Sequence, residues 1–120
     1  MTDKTVTGNE TGTYLSNMDS LDFEGWNRAD WHGKFAEYHT ADVKVAMSGT
    51  PDTSGLDAHI DWAKLFVEQT GGTPIQIVDH PIAFGSGEWT CVVGLLEDGR
   101  RMVTVAKWRD GAISEEYIWV

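Results

Sequence analysis

Among the side chains of types that move protons, three are the catalytic candidates: Glu116 near the C-terminal end, His59 in the middle, and His80 immediately before a proline. Imidazole titrates near neutrality, so a histidine can take or give a proton without a cofactor. A carboxyl group does the same near neutral pH when an apolar surrounding raises its pKa. Each residue also has a plainer reading. Glu116 can sit at a rim, solvated or paired with Lys107, and the histidines can be satisfied by local backbone or by Asp61 and Asp79. His39 with Asp42 reads as the close of a helix, and His32 as exposed. No two histidines lie one helical turn apart, so no metal site is expected. Gly85-Ser86-Gly87 lacks the lysine and helix of a phosphate loop, and no serine or cysteine nucleophile has local support.

The elements that must position these residues are clearest in the last third, Glu88 to Val120. Three apolar runs alternate there with Glu97-Asp98-Gly99 and Arg109-Asp110-Gly111. Asp-Gly between alternating hydrophobics is a hairpin signal, so the stretch predicts a three-stranded antiparallel meander. On its last strand Glu116, Ile118 and Val120 share one face, and Glu115, Tyr117 and Trp119 the other.

Upstream, Tyr14, Leu15, Met18, Leu21 and Phe23 predict a first helix over 13–23. Trp31, Phe35 and Tyr38 predict a second helix from about Asp30, weakened by Gly33. Val43, Val45 and Met47 alternate as a strand. Asp57 opens a third helix carrying His59, Ile60, Trp62, Ala63 and Phe66, which ends at Gly71-Gly72. Residues 74–78 read as a strand, and His80-Pro81 as extended chain. The opening, 1–12, reads as a flexible arm ahead of a single domain over 13–120. The order is helix, helix, strand, helix and then four strands. That is an α+β pattern: a cone-shaped curved antiparallel sheet covered by about three helices.

Composition narrows the function. A formal charge of −10 over 120 residues leaves no basic stripe for nucleic acid. The single cysteine, Cys91, excludes an intrachain disulfide and a zinc-thiolate cluster. No apolar run is long enough to span a bilayer and no signal pattern opens the chain, so the expectation is a cytoplasmic protein. Six tryptophans are a heavy load for this length. Trp62, Trp89 and Trp108, with Met47 and Thr104, are candidates for the wall of a cavity, or else they fill it.

Several segments together resemble the SnoaL-like polyketide cyclase (ester cyclase) branch of the nuclear transport factor 2-like superfamily. They are Trp26-Asn27-Arg28-Ala29-Asp30-Trp31, His39-Thr40-Ala41-Asp42-Val43, Gly55-Leu56-Asp57-Ala58-His59, His80-Pro81 followed by Phe84-Gly85-Ser86-Gly87-Glu88-Trp89-Thr90, and Trp108-Arg109-Asp110-Gly111-Ala112-Ile113 with Glu115-Glu116-Tyr117. The resemblance runs from about Leu21 to Val120.

The resemblance implies a cone with an apolar pocket, often a homodimer through the outer sheet face, and a cofactor-free aldol ring closure run by an acidic residue on the last strand with a histidine nearby. In the family register Glu116 and Ile118 look into the cone, with His59 and His80 nearest the cavity. The chain departs from the pattern at one point. Where many relatives read Glu-His-Trp-Asp, it reads Glu115, Glu116, Tyr117 and Ile118, and the usual aspartate is absent. The expectation is therefore a pocket protein for a small apolar or aromatic carbonyl compound, possible chemistry being cyclisation, isomerisation or dehydration. Its rival is a non-catalytic binding or dimeric member that has lost the aspartate. Tyr117, Trp119, Val103 and Val105 would form the dimer face.

Overall fold

The computed structural model describes residues 9–120. Helix α1 (Asn9–Ser20) continues into a wide π-type turn over Leu21–Trp26, and a second such turn covers Trp31–Phe35. Then follow β1 (His39–Met47), β2 (Thr53–Ser54), α2 (Leu56–Gln69), β3 (Ile77–Ser86), β4 (Trp89–Leu96), β5 (Arg101–Arg109) and β6 (Ala112–Trp119). The six strands make one sheet in the order β2-β1-β6-β5-β4-β3. Every neighbouring pair is antiparallel except β1 with β6, which is parallel. No helix among the described residues is long and apolar enough to cross a membrane.

The meander forms as the Asp-Gly turns dictate. Gly99 and Gly111 take φ of 91° and 83°, values that favour glycine, and Asp110 takes 53°. Alternation then sorts the side chains. Thr104, Ala106 and Trp108 of β5 and Glu116 and Ile118 of β6 are buried on the inner face. The helices cover that face, with Tyr14, Met18, Leu21, Phe35, Ile60 and Ala63 packed onto it.

The N-terminal half departs from expectation in three ways. Residues 1–8 of the expected arm lie outside the described residues, while Asn9–Gly12 form the first turn of α1, where Thr11 is buried and donates to the Gly87 carbonyl at 2.8 Å. The second helix is only the short turn Trp31–Phe35: Gly33 breaks it with φ −103° and ψ −106°, and the Asp30 carboxylate caps it by accepting the Lys34 N–H. A Cβ on Gly25 would stand 2.8 Å from the Phe35 nitrogen, so glycine lets the two turns meet. Third, His39 does not close a helix; it opens β1. A shift of register between His39 and Lys44 bends that strand.

Strand β3 runs through Pro81 rather than stopping at 78. It is an edge strand, where a missing N–H is tolerated, and register shifts flank Asp79. Asn27 clamps its start, accepting the Ile77 N–H and donating to the Ile77 carbonyl, both at 2.8 Å.

Candidate functional site

Three elements bring one polar cluster into the apolar interior. Strand β1 supplies His39, α2 supplies His59 and β6 supplies Glu116, and all three are at least 96% buried. Glu116 Oε1 lies 2.9 Å from His39 Nε2 and 3.1 Å from His59 Nε2. The other nitrogen of His39, Nδ1, is 2.7 Å from the Phe35 carbonyl. A carbonyl only accepts, so Nδ1 carries a hydrogen. Among the described residues His59 Nδ1 has no hydrogen-bond partner. Spacing along α2 stacks His59 on Trp62 and Trp62 on Phe66, with ring centroids 5.6 and 5.5 Å apart.

Burial by itself would raise the Glu116 carboxyl. The adjacent His39 and His59 outweigh it and hold the group well below the usual carboxylate range. The expectation of a carboxyl raised by an apolar pocket is thus reversed by two neighbours, His59, which was expected near the cavity, and His39, which was not. Lys107 is no partner of Glu116; it approaches Glu115 instead, at 3.9 Å.

A second cluster sits beside the first. The wide turn after α1 buries Asp22, whose Oδ2 lies 2.7 Å from His80 Nε2. His80 Nδ1 lies 2.8 Å from Asp19 Oδ1. Carboxylates only accept, so His80 bridging two of them holds a hydrogen on each ring nitrogen. Burial pushes the Asp22 carboxyl up, against the lowering effect of His80. For His80 burial acts downward, but Asp22 and Asp19 outweigh it and the ring stays charged above its ordinary range. Asp79 and Asp61, the partners open to His80 and His59 from sequence, make neither contact. Side-chain exposure runs from 59% at Asp19 to 5% at His80 and 7% at Asp22. The chain Asp19–His80–Asp22 leads from water to the interior.

Both clusters border one cavity of about 70 Å³, whose wall includes Asp22, His39, His59 and Glu116 among apolar residues. Of the residues expected there, Met47, Trp62, Thr104 and Ile118 line it, together with Glu116 and His59. His80 reaches it only through Asp22. Trp108 and Trp89 do not line it. Trp108 is fully buried in the core, stacked on Tyr14 at 5.2 Å and donating from Nε1 to Thr90 Oγ1 at 2.9 Å. Trp89, one register position before the inward Thr90, is 41% exposed. In their place Trp26 and Phe66 stand on the wall.

Sequence reasoning missed His39 and Asp22. His39 shares odd parity with Val43 and Val45, so a strand begun four residues earlier would have turned it inward. Asp22 gave no such signal, because its inward position comes from the widened turn.

No family model and no curated protein matches the sequence. Solved structures do. A proposed SnoaL-like polyketide cyclase from Jannaschia sp. CCS1 superposes with TM-score 0.77 at 16% identity, over 94% of this chain and 88% of that one. An NTF-2 like protein of unknown function from Burkholderia xenovorans LB400 gives 0.73 at 10% identity, over 92% and 84%. A protein of unknown function with a cystatin-like fold from Xanthomonas campestris gives 0.74 at 16% identity, over 88% of each. Likeness at these identities carries the fold and leaves the chemistry to the site.

Proposed function

This chain has the SnoaL-like fold of the nuclear transport factor 2-like superfamily, and on that premise we propose that it binds a small, largely apolar carbonyl compound and transfers protons on it. The observation that carries this reading is the hydrogen-bonded chain from solvent-exposed Asp19 through His80 to buried Asp22 on the cavity wall. Asp22 is the acid/base. Its carboxylate takes a proton from the carbon beside the carbonyl, the electron pair moves into an enolate, and the protonated acid returns a proton to carbon or to a leaving oxygen. His80 orients Asp22 and exchanges its charge with water through Asp19. Glu116 is held as an anion by its histidines, so the acid/base role expected of it passes to Asp22. Cyclisation, isomerisation and dehydration all use these steps.

The cavity limits the substrate. A water needs roughly 10–15 Å³ of such space, so about 70 Å³ suits a compound of a few heavy atoms. A fused aromatic polyketide would require Trp26, Trp62 and Phe66 to move aside.

The outer sheet face supports a homodimer. Phe84, Cys91, Val105 and Tyr117 align across four strands, and Ile82, Val93, Val103 and Trp119 form the next row. Ile82, Phe84, Tyr117 and Trp119 are each at least 37% exposed. Two such faces pairing about a twofold axis would remove them from water.

The test is a screen of small ketones, enones and hydroxy-ketones by NMR, with wild type and Asp22→Asn side by side. The reading expects conversion by wild type that Asp22→Asn loses. Binding without conversion of any member would favour the rival, a ligand-binding relative.

A further inference from the structure

The cluster of His39, His59 and Glu116 is not used by the proton path through Asp22, and its geometry asks for something more. In a neutral His39 the hydrogen sits on Nδ1, committed to the Phe35 carbonyl, so Nε2 turns a lone pair toward Glu116 Oε1 at 2.9 Å. His59 Nε2 approaches the same oxygen at 3.1 Å. One ligand-type atom from each residue lies within 4.8 Å of the others, and all three side chains are buried. Three donors from three elements that converge inside an apolar interior require a cation or extra protons between them.

We propose that His39, His59 and Glu116 form a binding site for one divalent first-row transition-metal ion. Zinc-type bonds to imidazole nitrogen and carboxylate oxygen are about 2.0–2.2 Å, which sets ligand atoms about 3.3 Å apart at tetrahedral angles. The two contacts to Glu116 need open by only a few tenths of an ångström, and the imidazoles draw in toward each other. The bond from His39 Nδ1 to Phe35 is the kind of outer contact that fixes a ligand ring and its tautomer. Among the described residues none bonds His59 Nδ1 to hold it against the adjustment.

Two histidines and one carboxylate leave coordination positions open, and every one of the three borders the cavity. The ligand those positions fit is a small oxygen donor, such as a carbonyl or carboxylate oxygen. Imidazole donors select zinc, iron, cobalt or nickel over magnesium and calcium. The site lacks thiolate, since Cys91 lies on the other face of the sheet beside Val105. The proposal goes beyond the proton-transfer reading and is independent of it: Asp22 and His80 can fail as an acid/base pair while the ion binds, and the reverse.

The test uses the full chain without a histidine tag, stripped with a chelator and titrated with cobalt(II) while its visible absorption is followed, then displaced with zinc. One saturable equivalent per chain is expected. Folded His59→Ala and Glu116→Gln should each weaken binding by more than about 100-fold, whereas His32→Ala, at an exposed histidine, should not. Paramagnetic shifts of the His39 and His59 ring protons in wild type read the same site without any variant. Absence of a saturable cobalt spectrum in folded wild type would overturn the proposal. So would binding that survives in His59→Ala and Glu116→Gln, or wild-type shifts confined to other histidines.

Discussion

Asp22 Oδ2 and His80 Nε2 lie 2.7 Å apart, one on the turn that ends the first helix and the other on the edge strand β3, 58 positions further along the chain. The contact holds because both flanks are pinned. Asn27 bonds the backbone of Ile77, and the Trp26 indole donates to the Ile75 carbonyl at 2.8 Å. The Asp22–His80 contact is therefore a property of how the helical layer is fastened to the sheet.

That pairing makes stability depend on pH. The folded-state pKa of His80 is raised, so its contribution is fully present below the unfolded value near 6.5 and is lost as pH rises through the folded value. Urea denaturation should show wild type losing stability through that window while His80→Gln stays flatter. Equal slopes in the two proteins would contradict the assigned charge on His80.

The tryptophans divide by role. Trp108→Ala removes a fully buried ring and its bond to Thr90, and should cost about 3–5 kcal/mol in denaturant unfolding. Trp62→Ala, at a half-buried wall position, should cost less and enlarge the cavity, so that bulkier ketones bind. A reversed order of stability loss would place Trp108 on the wall after all.

Glu116→Ala leaves two buried imidazoles without their shared acceptor. Loss of one partner from a buried polar pair of this kind costs about 3–5 kcal/mol, measurable by thermal or urea unfolding. A loss under about 1 kcal/mol would show that the cluster contributes little to the fold.

The outer face predicts an assembly. Wild type should sediment at twice the chain mass, and Trp119→Lys combined with Phe84→Lys should sediment as a monomer with its fold intact. A monomeric wild type at tens of micromolar would contradict the twofold pairing.

How much of this was legible in the residues depends on the range of the interaction. The meander was, because Asp98-Gly99 and Asp110-Gly111 are local turn chemistry, and alternation along β6 set Glu116 and Ile118 on the face opposite Tyr117 and Trp119, the resemblance supplying which of the two faces inward. Helix α2 was, because Ile60, Ala63 and Val67 repeat at helical spacing and all are buried. The helical turns around Gly25 and Gly33 were not, since close approach of two backbones leaves no periodic mark. The site suffered from the same gap. His59 reads as a helix residue and Glu116 as a strand residue, but nothing local says that His39 completes them or that Asp22 meets His80. The charge state of Glu116 follows from those distant partners, so a reading from its apolar neighbours gave the wrong direction.

The most direct test of the proton-transfer account is the rate at which the α-hydrogens of a small cyclic ketone, such as cyclopentanone, exchange with deuterium in D₂O. Wild type should accelerate exchange over buffer, and Asp22→Asn should lose on the order of 10²–10⁴-fold of that acceleration, the range general acid–base catalysis supplies. His80→Gln should fall between them and shift the pH profile. Exchange that proceeds equally well in wild type and a folded Asp22→Asn variant would contradict the account.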